Sequence, residues 1–273
     1  VGQPIDRSRR SEAGWDDVTG NHRRWSVYIW AVLAFLYVPI AVVMLYSFND
    51  SRVNAVWQGW TWKWYASLFT NERVIEALLN SLLVGFVSTF IATALGTGAA
   101  LGLERYRMKG EQAARALLLL PVVVPDIVMG ISLLGMFSQL LIPLGAGTMI
   151  IAHVTFSLSF VYAVVSARLQ GTSSVYEEAA SDLGAGPWQT FRHVTLPVIM
   201  PAIAAGALLA FTLSLDDFMI SFFVSGPGST TLPLYIYGLV KRGISPEINA
   251  LCTLLIAFTI GSVTLAERIR RRS

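Results

Sequence analysis

The sequence predicts an all-α integral membrane protein of six transmembrane helices, and three observations carry that reading. Hydrophobic residues fill 54% of the 273 positions and charged residues only 14%, where a soluble domain carries about a quarter charged residues. Mean hydropathy is +0.59. The missing charge is concentrated in long blocks, and about twenty apolar residues in a row are what a helix needs to cross a bilayer. The Lys and Arg residues lie at the edges of those blocks, where they set topology.

The elements follow in order. A polar tail, 1–24, precedes the first span at 25–48, within which Val27–Tyr46 is uncharged. Val1–Asn21 reads as a loosely attached segment. The apolar stretch is longer than a signal-peptide core and has no small-residue cleavage pattern, so it reads as an uncleaved anchor. Residues 49–76 form an outer loop in which Trp57, Trp60, Trp62 and Trp64 suit an interfacial aromatic belt. The remaining spans lie in a core over 77–267. Leu78–Leu103 is uncharged, and Ala116–Ala167 holds Asp126 as its only Asp, Glu, Lys or Arg. That block is too long for one crossing, and the helix-breaking stretch Ile142–Thr148 divides it into spans at 117–140 and 149–167. A fifth span runs from Leu196 to Leu215 and a sixth from Ile248 to Ala266, before a basic tail at 268–273.

Six spans put both termini on one side. That side receives Arg7, Arg9, Arg10, Arg23, Arg24, Arg105, Arg107, Lys109, Arg115, Arg168, Arg192, Arg268, Arg270, Arg271 and Arg272, which is fifteen of the 20 basic residues. The other receives Arg52, Lys63, Arg73, Lys241 and Arg242. The positive-inside rule makes the first side cytoplasmic.

Several functions are disfavoured by the same residues. A net charge of +3 is small for a nucleic-acid binder. Cys252 is the lone cysteine, and His22, His153 and His193 are scattered, so neither a disulfide, a metal cluster nor a catalytic triad is indicated. No Gly-x-x-x-x-Gly-Lys-Ser/Thr sequence is present, so the P-loop route to ATP hydrolysis is closed to this chain. No catalytic or metal-ligating residue is assigned.

The longest hydrophilic interruption between later spans is Arg168–Thr195, on the cytoplasmic side. Ser174-Val175-Tyr176-Glu177 has capping-box spacing and predicts a short helix, with Glu177, Glu178 and Asp182 in it. Gly184 should end that helix, and Gly186-Pro187 offers a second start with Pro at the first position. The result is a helix–Gly–helix elbow, either a docking surface or a plain connector. Glu178-Ala179-Ala180, then Gly184, then Val194 and Leu196-Pro197 resemble the EAA loop of binding-protein-dependent ABC import permeases, with Val194 replacing the usual Ile. The resemblance implies a type I ABC importer permease fold. It also implies that Glu178, Ala179, Ala180, Gly184, Leu196 and Pro197 couple this subunit to two separate ATPase subunits. Those subunits would bind the ATP and magnesium, and this chain would need no cofactor.

Acids inside apolar segments are expensive, about 2.5–3.5 kcal/mol at a helix centre, and face a cavity or a partner. Asp126 falls about ten residues into the third span, near the midplane at about 1.5 Å per residue. Asp216 and Asp217 are the only charges from Val194 to Val240 and fall near the outer end of the fifth span. Ala202, Gly206, Ala210 and Ser214 form a small-residue stripe there, with Asp217 and Ser221 near it and Asp216 turned away, so the two acids should differ in role. Acids without bases inside the spans suit a cationic substrate; wetted headgroups or helix capping are the bland alternatives. His153 reads as a hydrogen-bonded packing residue.

Longer strings, including Pro125-Asp126-Ile127-Val128, Ala152-His153-Val154-Thr155-Phe156, Phe211–Asp217, Ser245–Leu251 and Tyr46-Ser47-Phe48-Asn49, are similar to spermidine/putrescine importer permeases of the second, shorter type. That resemblance implies ATP-driven polyamine import through the bacterial inner membrane. The implied partners are a second, homologous permease subunit, a periplasmic polyamine-binding protein docking on Asn49–Glu76 and Ser225–Glu247, and membrane lipid. Asp126, Asp216, Asp217 and Tyr46 are the candidate pathway residues. An ABC permease for another small solute, an ion-gradient-driven secondary transporter and a signalling or scaffolding membrane subunit are the alternatives.

Overall fold

The computed structural model describes residues 16–51, 56–106, 109–171, 175–243 and 246–270. Every regular element among them is helical: α1 (Asp16–Tyr46), α2 (Lys63–Thr70), α3 (Glu72–Arg105), α4 (Glu111–Val123), α5 (Asp126–Gln139), α6 (Ala146–Gln170), α7 (Val175–Asp182) and α8 (Pro187–Thr190), a π-helical turn over Phe191–Thr195, then α9 (Leu196–Asp216), α10 (Met219–Val224), α11 (Leu232–Arg242) and α12 (Pro246–Arg270). Helix α1 begins at Asp16, inside the segment expected to be loosely attached. The expected tail at Val1–Gly14 and its following Trp15 lie outside the described residues, as does the cap Ser174.

The chain forms two compact units, residues 1–68 with 242–273, and residues 69–241. In the first, α1 packs on α12. The described side chains of α1 are largely exposed, Phe35 at 80%, as expected for a helix with lipid around it. After α1 the chain turns on buried Asn49, whose amide donates to the Val56 carbonyl at 2.8 Å and whose Oδ1 accepts from the Gln58 N–H at 2.9 Å. The Trp64 indole donates to the Asn49 carbonyl at 2.8 Å. Phe48 stacks among Trp60, Trp62 and Tyr65 at centroid distances of 5.5, 4.8 and 5.2 Å. Three of the four expected belt tryptophans therefore fold around Asn49 and Phe48, and Trp57 meets Tyr46 edge-on.

The second unit is built on α3, α6 and α9. Gly96 and Gly206 let these backbones close on Val161. A Cβ on Gly96 would stand 2.9 Å from the Val161 Cβ, and one on Gly206 would stand 3.4 Å from the Val161 Cα. One apolar cluster gathers Val84, Met129, Phe137, Met149, Phe156 and Ile220. A second gathers Leu103, Val161, Tyr162, Val165, Leu169 and Ile199.

Among the described residues, four helices are long and apolar enough to cross a membrane: Arg24–Tyr46, Glu72–Arg105, Ala146–Gln170 and Pro187–Asp216. These match the expected first, second, fourth and fifth spans. The third is corrected. Instead of one helix over 117–140, α4 and α5 meet at 110°, and they supply a fifth crossing if counted together. Pro125 explains the bend: it donates no hydrogen bond and drives the residue before it out of helical backbone, and Val124 is extended at φ −73°, ψ 131°. Asp126 is consequently the first residue of α5, not a position ten residues into a straight helix. The expected sixth span coincides with α12, whose apolar stretch Pro246–Gly261 is shorter than the other four.

The loop after α10 is locked against the turn before α6. Thr148 Oγ1 donates to the Val224 carbonyl at 2.8 Å, and Ser229 Oγ accepts from the Gly226 N–H at 2.8 Å. A Cβ on Gly226 would fall 1.9 Å from the Leu144 carbonyl oxygen, a backbone atom. Gly226→Ala should therefore destabilise the protein by about 1–3 kcal/mol, the range for overpacking. Gly98→Ala, with nothing within 4 Å of its Cβ, should be neutral or slightly stabilising. Thermal unfolding of the two variants in detergent, with Gly226→Ala melting no lower than Gly98→Ala, would refute the tight-contact argument.

Candidate functional site

Two polar regions stand out in the unit formed by residues 69–241. The first is the elbow. Helix α7 ends at Gly184, whose φ of +85° lies in the left-handed region that glycine reaches without a Cβ clash. The Ala185 N–H donates to the Ala180 carbonyl at 3.0 Å and the Gly184 N–H to the Ser181 carbonyl at 2.9 Å, the paired closure of a Schellman stop. Pro187 then opens α8 with Gly186 as its N-cap. The helix–Gly–helix expectation thus matches the described chain. Glu178, Ala179 and Gly184 are exposed, Ala180 and Leu196 half-buried, and Pro197 exposed at the start of α9. Around them Leu183 is 89% exposed and Trp188 68%. Both apolar side chains are thus left open on an otherwise polar segment.

Beneath the elbow lies a residue whose role sequence reasoning reached only in part. Glu177, read there as the third residue of a capping box, turns inward. Its Oε1 accepts from Arg105 Nη2 at 2.6 Å and from Thr195 Oγ1 at 2.7 Å. The neighbouring Glu104 pairs with Arg115 and accepts from Ser166 Oγ at 2.5 Å and Gln170 Nε2 at 3.0 Å. Arg115 also reaches Glu111 at 2.9 Å and the Leu103 carbonyl at 2.8 Å. No local signal announces these pairs, because 72 residues separate Arg105 from Glu177.

The second region is the break between α9 and α10. Asp217, the residue after α9, adopts extended backbone at ψ 124°. Its carboxylate accepts from the Ile220 N–H at 3.2 Å, the Ser221 N–H at 2.8 Å and the Ser221 hydroxyl at 2.8 Å, which caps α10. Buried His153 on α6 places Nε2 3.0 Å from Ser221 Oγ and 3.3 Å from Asp217 Oδ2. Its Nδ1 lies 2.6 Å from Ser214 Oγ. Since the Ser221 hydroxyl donates to Asp217, the Nε2 must carry the proton in these contacts, an assignment made from the network. The packing role expected of His153 is what this arrangement shows, and the small-residue stripe is a helix contact: Gly206, Ala210 and Ser214 are all buried.

The candidate pathway acids are therefore placed differently. Asp217 is enclosed, its side chain 6% exposed. Asp216 and Asp126 are exposed. Tyr46, half-buried against Trp57, belongs to the other unit. No group of three or more His, Cys, Asp or Glu residues among those described could hold a metal ion.

Comparison with known proteins gives a consistent family. Residues 92–272 match the family described as binding-protein-dependent transport system inner membrane component. The chain is 41% identical over 248 residues to the spermidine/putrescine transport system permease protein PotC of Haemophilus influenzae, covering 91% of this chain and 96% of that one. It is 43% identical over 240 residues to the putrescine transport system permease protein PotI of Escherichia coli, covering 85% of each. Among solved structures, a bacterial ABC transporter involved in import of the acidic polysaccharide alginate superposes with a TM-score of 0.71 at 20% identity, covering 96% of this chain and 99% of that one.

The break at Asp217 yields a stability prediction. Asp217→Ala removes a helix cap, at about 0.5–2 kcal/mol, and leaves buried polar partners unpaired, at about 1–3 kcal/mol more. It should lower the melting midpoint clearly, whereas Asp216→Ala should leave it nearly unchanged. Equal midpoints for the two variants would refute the division of roles.

Proposed function

The chain belongs to the family of binding-protein-dependent transport system inner membrane components, and on that premise we propose that it is a permease subunit of an ATP-driven importer of linear polyamines. It is a multi-pass inner membrane protein. One observation carries the substrate class: identity of 41–43% across most of the chain to proteins named for spermidine and putrescine transport. The chemistry agrees. A polyamine presents ammonium groups along a flexible methylene chain; Asp126 lies in the block 116–167 and Asp216 in the stretch Val194–Val240, both without Lys or Arg, and both acids are exposed. Exposed Phe222 adds an aromatic face for cation–π attraction of about 0.5–2 kcal/mol.

In this reading both termini are cytoplasmic, as the fifteen-to-five distribution of basic residues indicates. One of the two ATPase subunits of the complex docks on Glu178, Ala179, Ala180 and Gly184, with Leu183 and Trp188 as apolar anchors. Hydrolysis is theirs. A periplasmic binding protein delivers the cargo to the outer loops, and a second, homologous permease subunit completes the pathway. The enclosed carboxylate of Asp217 holds the helix break, while Asp126 and Asp216 meet the passing cation. Weak, successive sites suit such a path, since a deep well would retain the cargo.

ATP-dependent uptake of labelled putrescine and spermidine into vesicles containing the complex isolated through this chain tests the proposal. The unmodified complex should take up at least one of the two. Asp126→Asn with Asp216→Asn should reduce uptake about tenfold, equivalent to about 1.4 kcal/mol of lost cation stabilisation, with assembly unchanged. Wild-type uptake in that double variant would remove the two acids from the pathway. Crosslinking from Ala179→Cys should capture a nucleotide-hydrolysing subunit; failure to capture one would reject the docking assignment.

A further inference from the structure

Helix α7 buries none of its described side chains. Fully buried apolar side chains, the usual means of fixing a short helix to a bundle, are therefore lacking on it, and polar contacts carry much of its attachment. The strongest come from a single atom: Oε1 of Glu177 accepts from Arg105 Nη2 at 2.6 Å and Thr195 Oγ1 at 2.7 Å. Arg105 is the last residue of α3 and Thr195 the last of the π-helical turn that leads into α9. One carboxylate thus ties the elbow to the cytoplasmic ends of two helices that pack on each other and on α6.

We propose that Glu177 is a positioning residue that makes α7 move as one body with the ends of α3 and α9, so that a push on the elbow reaches both helices together. The inference rests on the reading of the elbow as the ATPase docking point and deepens it. Two further observations support it. Glu104, adjacent to Arg105, extends the junction to α4 through Arg115 and to α6 through Ser166 and Gln170. The turn that Thr195 ends is π-helical, a wide and strained geometry that marks functional joints. The Glu177 tie bridges this joint, from Thr195 at its far end back to α7. A purely stabilising role fits less well, because the side chains of Arg105 and Glu177 are 24% and 25% exposed and partly exposed ion pairs add little to stability.

The test uses the complex isolated through this chain, with Glu177→Gln, Arg105→Glu and the charge-swapped double variant Arg105→Glu/Glu177→Arg. Glu177→Gln keeps the shape and an acceptor for Thr195 but loses the charge that holds Arg105. Polyamine taken up per ATP hydrolysed should fall between about threefold and thirtyfold in each single variant, the span of residue-level coupling changes. The melting midpoint and the retained ATPase subunits should not change, and the double variant should recover most of the coupling. Spin labels at Tyr106→Cys and Asp182→Cys, in a Cys252→Ala background, provide a readout that does not depend on the cargo. Their distance should stay constant on ATP binding in the otherwise unmodified complex and shift or broaden with Glu177→Gln. A Glu177→Gln complex with normal uptake per ATP and an unchanged label distance would overturn the inference. So would loss of the ATPase subunits from that variant, which would make Glu177 part of the docking surface. If the unmodified complex transports no polyamine while the label distances behave as described, the cargo assignment fails and the tether stands.

Discussion

Hydrocarbon offers a protein no hydrogen bonds, so any interruption of a helix in an apolar segment must be satisfied from within. The interruption after α9 meets that requirement through Asp217. Its carboxylate accepts from the N–H groups of the second and third residues of α10, Ile220 and Ser221, and His153 and Ser221 enclose it. The same contacts that stabilise the break fix where it occurs. Asp216, one residue earlier, is then the last helical residue and faces outward. Two adjacent carboxylates with opposite environments follow from one capped break, and the division between framework and exposed acid follows from them.

Helix α9 connects the two polar regions directly. It begins at Leu196, where the elbow and its π-helical turn end, and finishes at Asp216. At about 1.5 Å per residue its 21 residues span roughly 30 Å, close to the thickness of a bilayer core. Tight packing of Gly206 on Val161 makes α9 and α6 a close pair. Since α6 also carries His153, the helix that holds the capped break is braced at mid-length and at its C-terminal end by the same neighbour. Movement at Thr195 therefore enters a helix whose far end bears the exposed acid.

Much of this was legible in the sequence. The uncharged blocks gave four long helices with small boundary shifts, since an apolar block of membrane length has few alternatives to a helix. The elbow was legible because its signals are local: Gly184 for the left-handed stop and Pro187 for the new start. Helical periodicity separated Asp216 from Asp217, but the break after Asp216, which gives Asp217 its bonded position, was not read. The bend at Val124-Pro125 was missed although Pro125 was in view, because composition alone made 117–140 look like one crossing and proline inside a membrane helix is often tolerated. The ties from Arg105 to Glu177 and from His153 to Ser214 and Ser221 join residues far apart in the chain, and no periodicity encodes a tertiary pair.

The contrast between the acids bears on how a cation could cross. A carboxylate that already accepts three hydrogen bonds and lies beside a histidine has little left to offer an ammonium group, and drawing it away would unravel the cap of α10. On the proposed reading Asp217, its side chain 6% exposed, is for that reason part of the framework and not where the cargo rests. Asp126 and Asp216 are exposed, and under the same proposal an arriving cation meets them without breaking any contact of the framework. Attraction between exposed opposite charges is favourable but shallow in a partly wetted site, so the cation is attracted and can still leave. The proposed pathway thus combines a bonded framework acid with two exposed ones, charge enough to attract a polyamine without the deep binding that would hold it.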